Sequence, residues 1–351
     1  MFQPKYKLTN SIVKMLTFIA EAKAIIERAR ILPKLELKLR RQALVRMSHS
    51  STAIEGNQLN AHEVEALMGR KKIDAPERDI FEVQNYLKAL KYIEEIVQKK
   101  QAVSEKVLLK IHKLVTDKTL PKEQSGHYRK TPVYVVRRRR GFPIEVMYTG
   151  PEAKKVPKFC ADLINWINES EKVDINPVIV AGIVHQEVAA IHPFADGNGR
   201  TARAMATLIL YKMGYDFRRL FALEDYYNKD RPSYYKAINT GKTYFERKVD
   251  FTPWLEYFVL GFKQEIDNVK NKVASLSMRK IRGDINSQVY LEADQMKILD
   301  FADKMGRISV SDVVDILGCP KRTAQFHLQK LKKIGVIKQI GKGPSSAYVL
   351  K

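Results

Sequence analysis

The chain has little of the material that holds together a small secreted scaffold or a membrane protein. Only two of its 351 residues are cysteine, Cys160 and Cys319, and they fall in different predicted domains. That argues against a disulfide framework and a structural zinc site, and both read as small core hydrophobes. The longest apolar run, Val178–Val184, stops at His185, far short of the ~20 residues that cross a bilayer. The opening residues, Met1-Phe2-Gln3-Pro4-Lys5, lack the apolar stretch of a secretory leader. No internal repeat or low-complexity tract interrupts the chain. Acid is also scarce: 39 Asp and Glu stand against 62 Lys and Arg, a formal net charge of +23. This balance suits anionic partners such as nucleotide, nucleic acid or an acidic protein surface. It equally suits lysine spread over solvated faces, because the charge runs along the whole chain. The expectation is a protein of a reducing cytoplasm, without membrane contact, long enough for two or three domains.

What is present is mostly helical periodicity. Ile12, Leu16, Ile19, Ala22, Ile25 and Ile26 recur at three- and four-residue spacing, and a second run follows Pro33 and should stop near Gly56. Asn60 with Glu63 predicts the cap of a third helix. Residues 77–100, 104–117 and 151–169 predict three more. Val133-Tyr134-Val135-Val136, the basic stretch Arg137–Gly141 and Ile144–Tyr148 predict a β-hairpin with a long loop. Asn176-Pro177 opens a helix that should reach Ile191. A Gly-rich loop over 192–199 then leads into a helix ending at Gly214.

That helix–loop–helix is the most informative stretch. Gly197 and Gly199 let successive backbone N–H groups face one concavity, and the next helix adds its unpaired N–H groups and dipole, which together suit a di- or triphosphate. Arg200 and Arg203, three apart, are expected to share a face and grip phosphate oxygens. Asp196 offers an oxygen ligand for Mg²⁺. His192, mostly neutral at pH 7, can take a proton from an attacking hydroxyl.

His192-Pro193-Phe194-Ala195-Asp196-Gly197-Asn198-Gly199-Arg200-Thr201-Ala202-Arg203 resembles the Fic signature, H-x-F-x-[D/E]-G-N-G-R-x-x-R, at every specified position. The resemblance extends over about residues 40–262, through Gly126-His127-Tyr128-Arg129, Trp166, His185 and Tyr234-Tyr235. It implies a protein adenylyltransferase that moves AMP from Mg·ATP to a Thr, Tyr or Ser hydroxyl of a target protein. His192 would be the base and Asp196 the Mg²⁺ ligand, with Phe194 buried as the loop's anchor. Asn198 and the Gly197 and Gly199 backbone would hold the α- and β-phosphates, and Arg203 the γ-phosphate. The hairpin would be a flap whose edge, Val133, Tyr134, Val135 and Val136, pairs with the target segment; a plain structural hairpin is the alternative. Tyr234 and Tyr235 would lie near adenine, or else pack on a helix. His185 reads as a core histidine that braces the loop. The signature specifies the diphosphate chemistry better than the base, and a homodimer is compatible with the family.

Ser51-Thr52-Ala53-Ile54-Glu55-Gly56-Asn57 resembles the family's inhibitory motif, [S/T]-x-x-x-E-[G/N]. The resemblance implies that Glu55 pairs with Arg203 and displaces the γ-phosphate, and leaves open a second activity that removes AMP.

Residues 291–351 predict three helices and a hairpin turning at Gly341–Pro344, the order of a winged helix-turn-helix. From Pro320 onward there are eight basic residues and no acidic ones. Lys321, Arg322 and Gln325 are the candidate DNA contacts; protein contact or dimerisation is the alternative use. The expected fold is therefore mainly α: an N-terminal inhibitory region (1–100), a Fic-type core with its flap (101–263), a helical connector (264–290) and a winged-helix domain (291–351). A DNA-binding regulator with the core as sensor is the competing function.

Overall fold

The periodic segments become helices in the computed structural model, which describes residues 2–29, 31–69, 71–137, 145–246, 250–278, 291–341 and 346–350. In chain order they are α1 (Asn10–Arg28), α2 (Pro33–Ile54), α3 (Ala61–Met68), α4 (Glu77–Gln98), α5 (Glu105–Val115), β1 (Tyr134–Arg137), β2 (Glu145–Thr149), α6 (Val156–Lys172), α7 (Pro177–Ile191), α8 (Asn198–Lys212), α9 (Leu223–Lys229), α10 (Arg231–Ile238), α11 (Thr252–Met278), α12 (Ala293–Met305), α13 (Val310–Leu317), α14 (Lys321–Lys333), β3 (Ile337–Ile340) and β4 (Ala347–Leu350). Among the described residues no helix is long and apolar enough to cross a membrane.

The chain divides into two compact units. One comprises residues 1–24 and 43–269; the other comprises 25–42 and 270–351. The division expected at residue 100 is therefore not a boundary between units: α3 and α4 fold with the loop-bearing helices. The reason lies in α4, which packs against α5 and α8 and whose buried Tyr86 donates to Glu224 of α9 at 2.8 Å; Val64 of α3 and Val83 of α4 bury themselves together with Val45 and Leu59. Of the expected helical connector, residues 264–278 form the end of α11, which runs unbroken from Thr252. Its other expected residues, 279–290, lie outside the described residues.

In the first unit α7 is the central helix. It is mostly apolar, and all of Val178–Ile191 except Ala189 is buried; its polar residues His185, Gln186 and Glu187 each meet a hydrogen-bond partner, as buried polar groups must. Gly182 permits the closest approach: Trp254 Nε1 of α11 donates to its carbonyl at 2.7 Å, and a Cβ at 182 would press on Leu255. α8 packs back along α7, so the loop between them is held from both sides. Asn60 and Glu63 form the expected reciprocal cap of α3.

The hairpin pairs β1 with β2 antiparallel, with a bulge between Val135 and Val136. Its expected basic turn, beyond Arg137, and Ile144 lie outside the described residues. The two edges differ. Thr149 of β2 exchanges backbone bonds with Lys242 and Tyr244, whereas the outer edge of β1 pairs with nothing among the described residues.

The second unit holds α12, α13 and α14 followed by the antiparallel hairpin β3–β4, the element order expected of a winged helix. Ile298, Leu299, Ile308, Val313, Leu328 and Ile337 are among its core residues. The expected turn residues Lys342–Pro344 lie outside the described residues.

Candidate active site

α7 ends where His192 turns left-handed, at φ 48° and ψ 60°. Its N–H still reaches Val188 O at 3.1 Å. A side chain with a Cβ is strained there by about 1–2 kcal/mol, so the surroundings must hold it. They do so through a short loop that returns at Gly197, φ 75°, into α8. A Cβ at 197 would strike Thr116; conformation and space both demand glycine. Asn198 closes the loop on itself. Its Oδ1 accepts from Phe194 N and its Nδ2 donates to Phe194 O, each at 2.9 Å. The side chain expected to touch phosphate thus also braces the loop.

Two residues outside the signature complete the frame. His112 of α5 stacks on Phe194 with ring centroids 3.6 Å apart. Gly126 N donates to its Nδ1 at 2.9 Å, so its Nε2 carries the proton donated to Asp196 O at 3.0 Å. Burial is the main reason its pKa is lowered to about 4. Arg129 donates from Nε to His192 O at 2.8 Å, and its backbone N–H donates to Pro193 O. His112 had one sequence signal: a polar residue inside the apolar stripe Val107, Leu108, Ile111, Val115. Its two partners, from 126 and 196, are far away in sequence.

His112→Phe keeps the stack and deletes both hydrogen bonds, with an expected loss of about 2–4 kcal/mol of stability at neutral pH. The sign of the pH dependence follows from the depressed pKa. The contribution of His112 is present above the unfolded value of about 6.5 and is lost as pH falls through 4. Melting curves between pH 8 and 4 should show the gap between wild type and His112→Phe closing on acidification. A constant gap would refute this role.

His192 presents its reactive nitrogen by elimination. Nδ1 lies 3.0 Å from Ala189 O, so it carries the proton and Nε2 keeps its lone pair. Burial, opposed by that backbone bond, holds its pKa below the usual value. The ring is neutral at pH 7.

Arg203 is buried; its Nη1 donates to the Tyr234 hydroxyl at 3.4 Å, and its other nitrogens are held by the end of α2. Nε donates to Ser51 Oγ at 2.9 Å, while Nη2 donates to Ser51 O at 2.8 Å and to Glu55 Oε1 at 2.7 Å. Burial lowers its pKa most strongly, but the charge and hydrogen bond of Glu55 together with Tyr234 and Tyr86 outweigh it, and the net shift is upward. The Glu55 carboxylate also rests against Gly199, so closely that a Cβ at 199 would overlap it. An anion already sits over the N-terminus of α8, where a helix favours negative charge.

Glu55, Val135, His192, Gly199, Arg203 and Tyr235 line one cleft. It joins the inhibitory motif, the flap and the signature, which lie far apart in sequence. Tyr234 also faces it, but its hydroxyl is turned inward to His185 Nε2 at 3.0 Å. Tyr235 stays half-exposed and donates to Ile54 O at 3.0 Å. Tyr134 and Val136 are exposed on β1, and Val133 accepts a bond from Gly150 N. Arg200 does not share the face of Arg203, as its spacing predicted. It is buried beside Glu82, Nη1 to Oε1 3.3 Å, and near Asp196, Nη2 to Oδ2 3.8 Å. The buried acid Glu82 on α4 draws it away. Asp196 is half-exposed, with Oδ1 accepting from Gly197 N and Oδ2 3.5 Å from Arg78 Nη2. Lys321, Arg322 and Gln325 all lie in the second unit, on α14.

The Fic/DOC family pattern matches residues 102–210. A protein adenylyltransferase Fic of Nematostella vectensis is 28% identical over 203 residues, which are 57% of this chain and 43% of that protein. Protein adenylyltransferase fic-1 of Caenorhabditis elegans is 30% identical over 172 residues, 48% of this chain and 32% of that protein. The chain thus spans less than half the length of these curated relatives. A Fic family protein from Desulfovibrio desulfuricans G20, known from its crystal structure, is 26% identical with a TM-score of 0.64, covering 100% of this chain and 98% of that one. The stretch from His192 to Arg203, framed by α7 and α8, lies within the segment that matches the Fic/DOC family.

Proposed function

We propose that the chain transfers AMP from ATP to a hydroxyl of a protein target, and that Glu55 holds this activity in check. The observation that carries the reading is the Glu55–Arg203 pair at 2.7 Å, seated on the backbone of Gly199. A carboxylate there takes both the space and the charge that a terminal phosphate needs. With Glu55 withdrawn, Arg203 and the N–H groups of the α8 N-terminus are free for the polyphosphate. His192 Nε2 accepts the proton of the attacking hydroxyl as the new O–P bond forms at the α-phosphorus. The bond to the bridging oxygen breaks, and pyrophosphate leaves. Orientation and electrostatics supply most of the rate in such transfers.

Among the described residues no cluster of three or more His, Cys, Asp or Glu could hold a metal unaided. Mg²⁺ takes one or two carboxylates and completes its shell with phosphate oxygens and water; Asp196 would hold it. When bound it neutralises charge on the polyphosphate. The unpaired edge of β1 supports docking of an extended target segment by strand addition, with Val135 bordering the cleft beside His192. The test is incubation with Mg²⁺ and α-labelled ATP, comparing wild type, Glu55→Gly and His192→Ala.

The brake has a tether that the motif does not contain. Tyr235 donates to the carbonyl of Ile54, the last residue of α2 and the neighbour of Glu55. A net hydrogen bond of about 0.5–1.5 kcal/mol restrains that turn. Tyr235→Phe should raise basal labelling about two- to tenfold without approaching Glu55→Gly. Labelling equal to wild type would assign Tyr235 to packing alone.

A further inference from the structure

The second unit carries a charged face that AMP transfer does not use. α14 buries Ala324, His327, Leu328 and Leu331, the i, i+3, i+4, i+7 pattern of a core-facing stripe. Lys321, Arg322, Gln325, Phe326, Gln329, Lys332 and Lys333 are exposed. At about 100° per residue these seven fall within an arc of roughly 140° opposite that stripe. The core of the unit therefore holds α14 by one side and presents the other. Four of the seven are cations, and no acidic residue occurs from 320 to 351.

The elements around α14 fix how this face can be approached. α13 ends at Gly318 in the left-handed conformation, φ 60°, and α14 starts three residues later after Pro320. This sharp turn sets the two helices as a helix-turn-helix pair. The hairpin β3–β4 follows at once, tied to the start of α13 by the backbone exchange between Ile308 and Tyr348. Lys338 is exposed on β3. A protruding helix of 13 residues is about 20 Å long and narrow enough for the ~12 Å major groove.

We propose that α14 binds the major groove of duplex DNA, with Lys321, Arg322, Lys332, Lys333 and Lys338 on phosphates and Gln325, Phe326 and Gln329 reading bases. The three reading residues define the ligand more narrowly. Glutamine pairs bidentately with adenine N6 and N7, and an apolar side chain contacts the thymine methyl. An exposed Phe326, 60% accessible, has a use on such a face that it lacks on a merely solvated one. The site is therefore matched to A·T pairs.

The experiment uses the full chain without nucleotide, so its outcome is independent of the transfer reading. A randomised 30-base-pair duplex pool is selected for binding, and affinity is then measured by fluorescence anisotropy across a salt series. The expected result is enrichment of A·T pairs and a steep linear fall of log K with log salt. Removing four phosphate contacts in Lys321→Gln/Arg322→Gln/Lys332→Gln/Lys333→Gln should lower the slope by about 3.6 and affinity by more than tenfold. Lys332→Gln alone should lower it by about 0.9, which keeps the test open if the quadruple variant misfolds. Gln325→Ala/Phe326→Ala/Gln329→Ala should keep the slope and lose the A·T preference. Absence of binding, a slope unchanged in the cation variants, or sequence preference surviving the triple variant would each overturn the proposal. Self-association abolished by Phe326→Ala, without duplex binding, would assign this face to protein contact and overturn it as well.

Discussion

Glu55→Gly is expected to raise labelling from α-labelled ATP, on the protein itself and on its target, about 10- to 150-fold. The carboxylate makes a charge-assisted hydrogen bond to a buried guanidinium, an interaction of about 1.5–3 kcal/mol. A ligand must displace it before Arg203 and the Gly199 backbone can meet phosphate, and each 1.36 kcal/mol is a factor of ten. Glycine removes the charge and frees the cleft. The rest of α2 is kept in place by Ser51, whose Oγ and O both accept from Arg203. Glu55→Gln separates charge from bulk: it keeps the size, weakens the pairing, and should fall between wild type and Glu55→Gly. Equal transfer rates in wild type and Glu55→Gly would leave the pair as a structural contact only.

His192→Ala, made in the Glu55→Gly background, should lower transfer by about 10²–10⁴-fold, the usual range for loss of a positioned base. Nucleotide affinity should change little, because in the proposed reading phosphate would contact the loop amides and Arg203 rather than the ring. A fall in kcat with a steady KM is therefore the signature. The pH profile carries the same message. Burial lowers the His192 pKa, so the neutral base persists below pH 6.5, and the acid limb of the rate should lie on that side. Labelling that survives in the double variant would sink the assignment of His192 as base.

Much of this was legible in the residues themselves. Helix α7 announced itself by an apolar run with an Asn176-Pro177 start, and the loop after it by the glycines at 197 and 199. The closing of α3 by Asn60 and Glu63 was readable because a capping box is local. Contacts between distant segments were not readable. Nothing in the spacing of Arg200 and Arg203 reveals that Glu82, more than a hundred residues earlier, draws one of them out of the cleft. That Asn198 also braces Phe194 at both ends of its amide shows only in the folded loop. The engagement of Arg203 by Glu55 came from resemblance, not from chemistry visible in either segment. The N-terminal region was set apart because it carries the inhibitory motif. Its α3 and α4 nevertheless belong to the same compact unit as the loop-bearing helices.

The reciprocal amide bonds between Asn198 and Phe194 have a thermodynamic consequence. With His112 and Arg129 pinning the same turn, the loop adopts its shape during folding and not on ligand arrival. The conformational entropy of ordering it is thus charged to the folded state, and a triphosphate meets a rigid host. Control by loosening this turn would have to unmake part of the core, so the economical lever is competition for a finished socket. Calorimetry should accordingly find a small heat-capacity change on nucleotide association, since little surface remains to be organised.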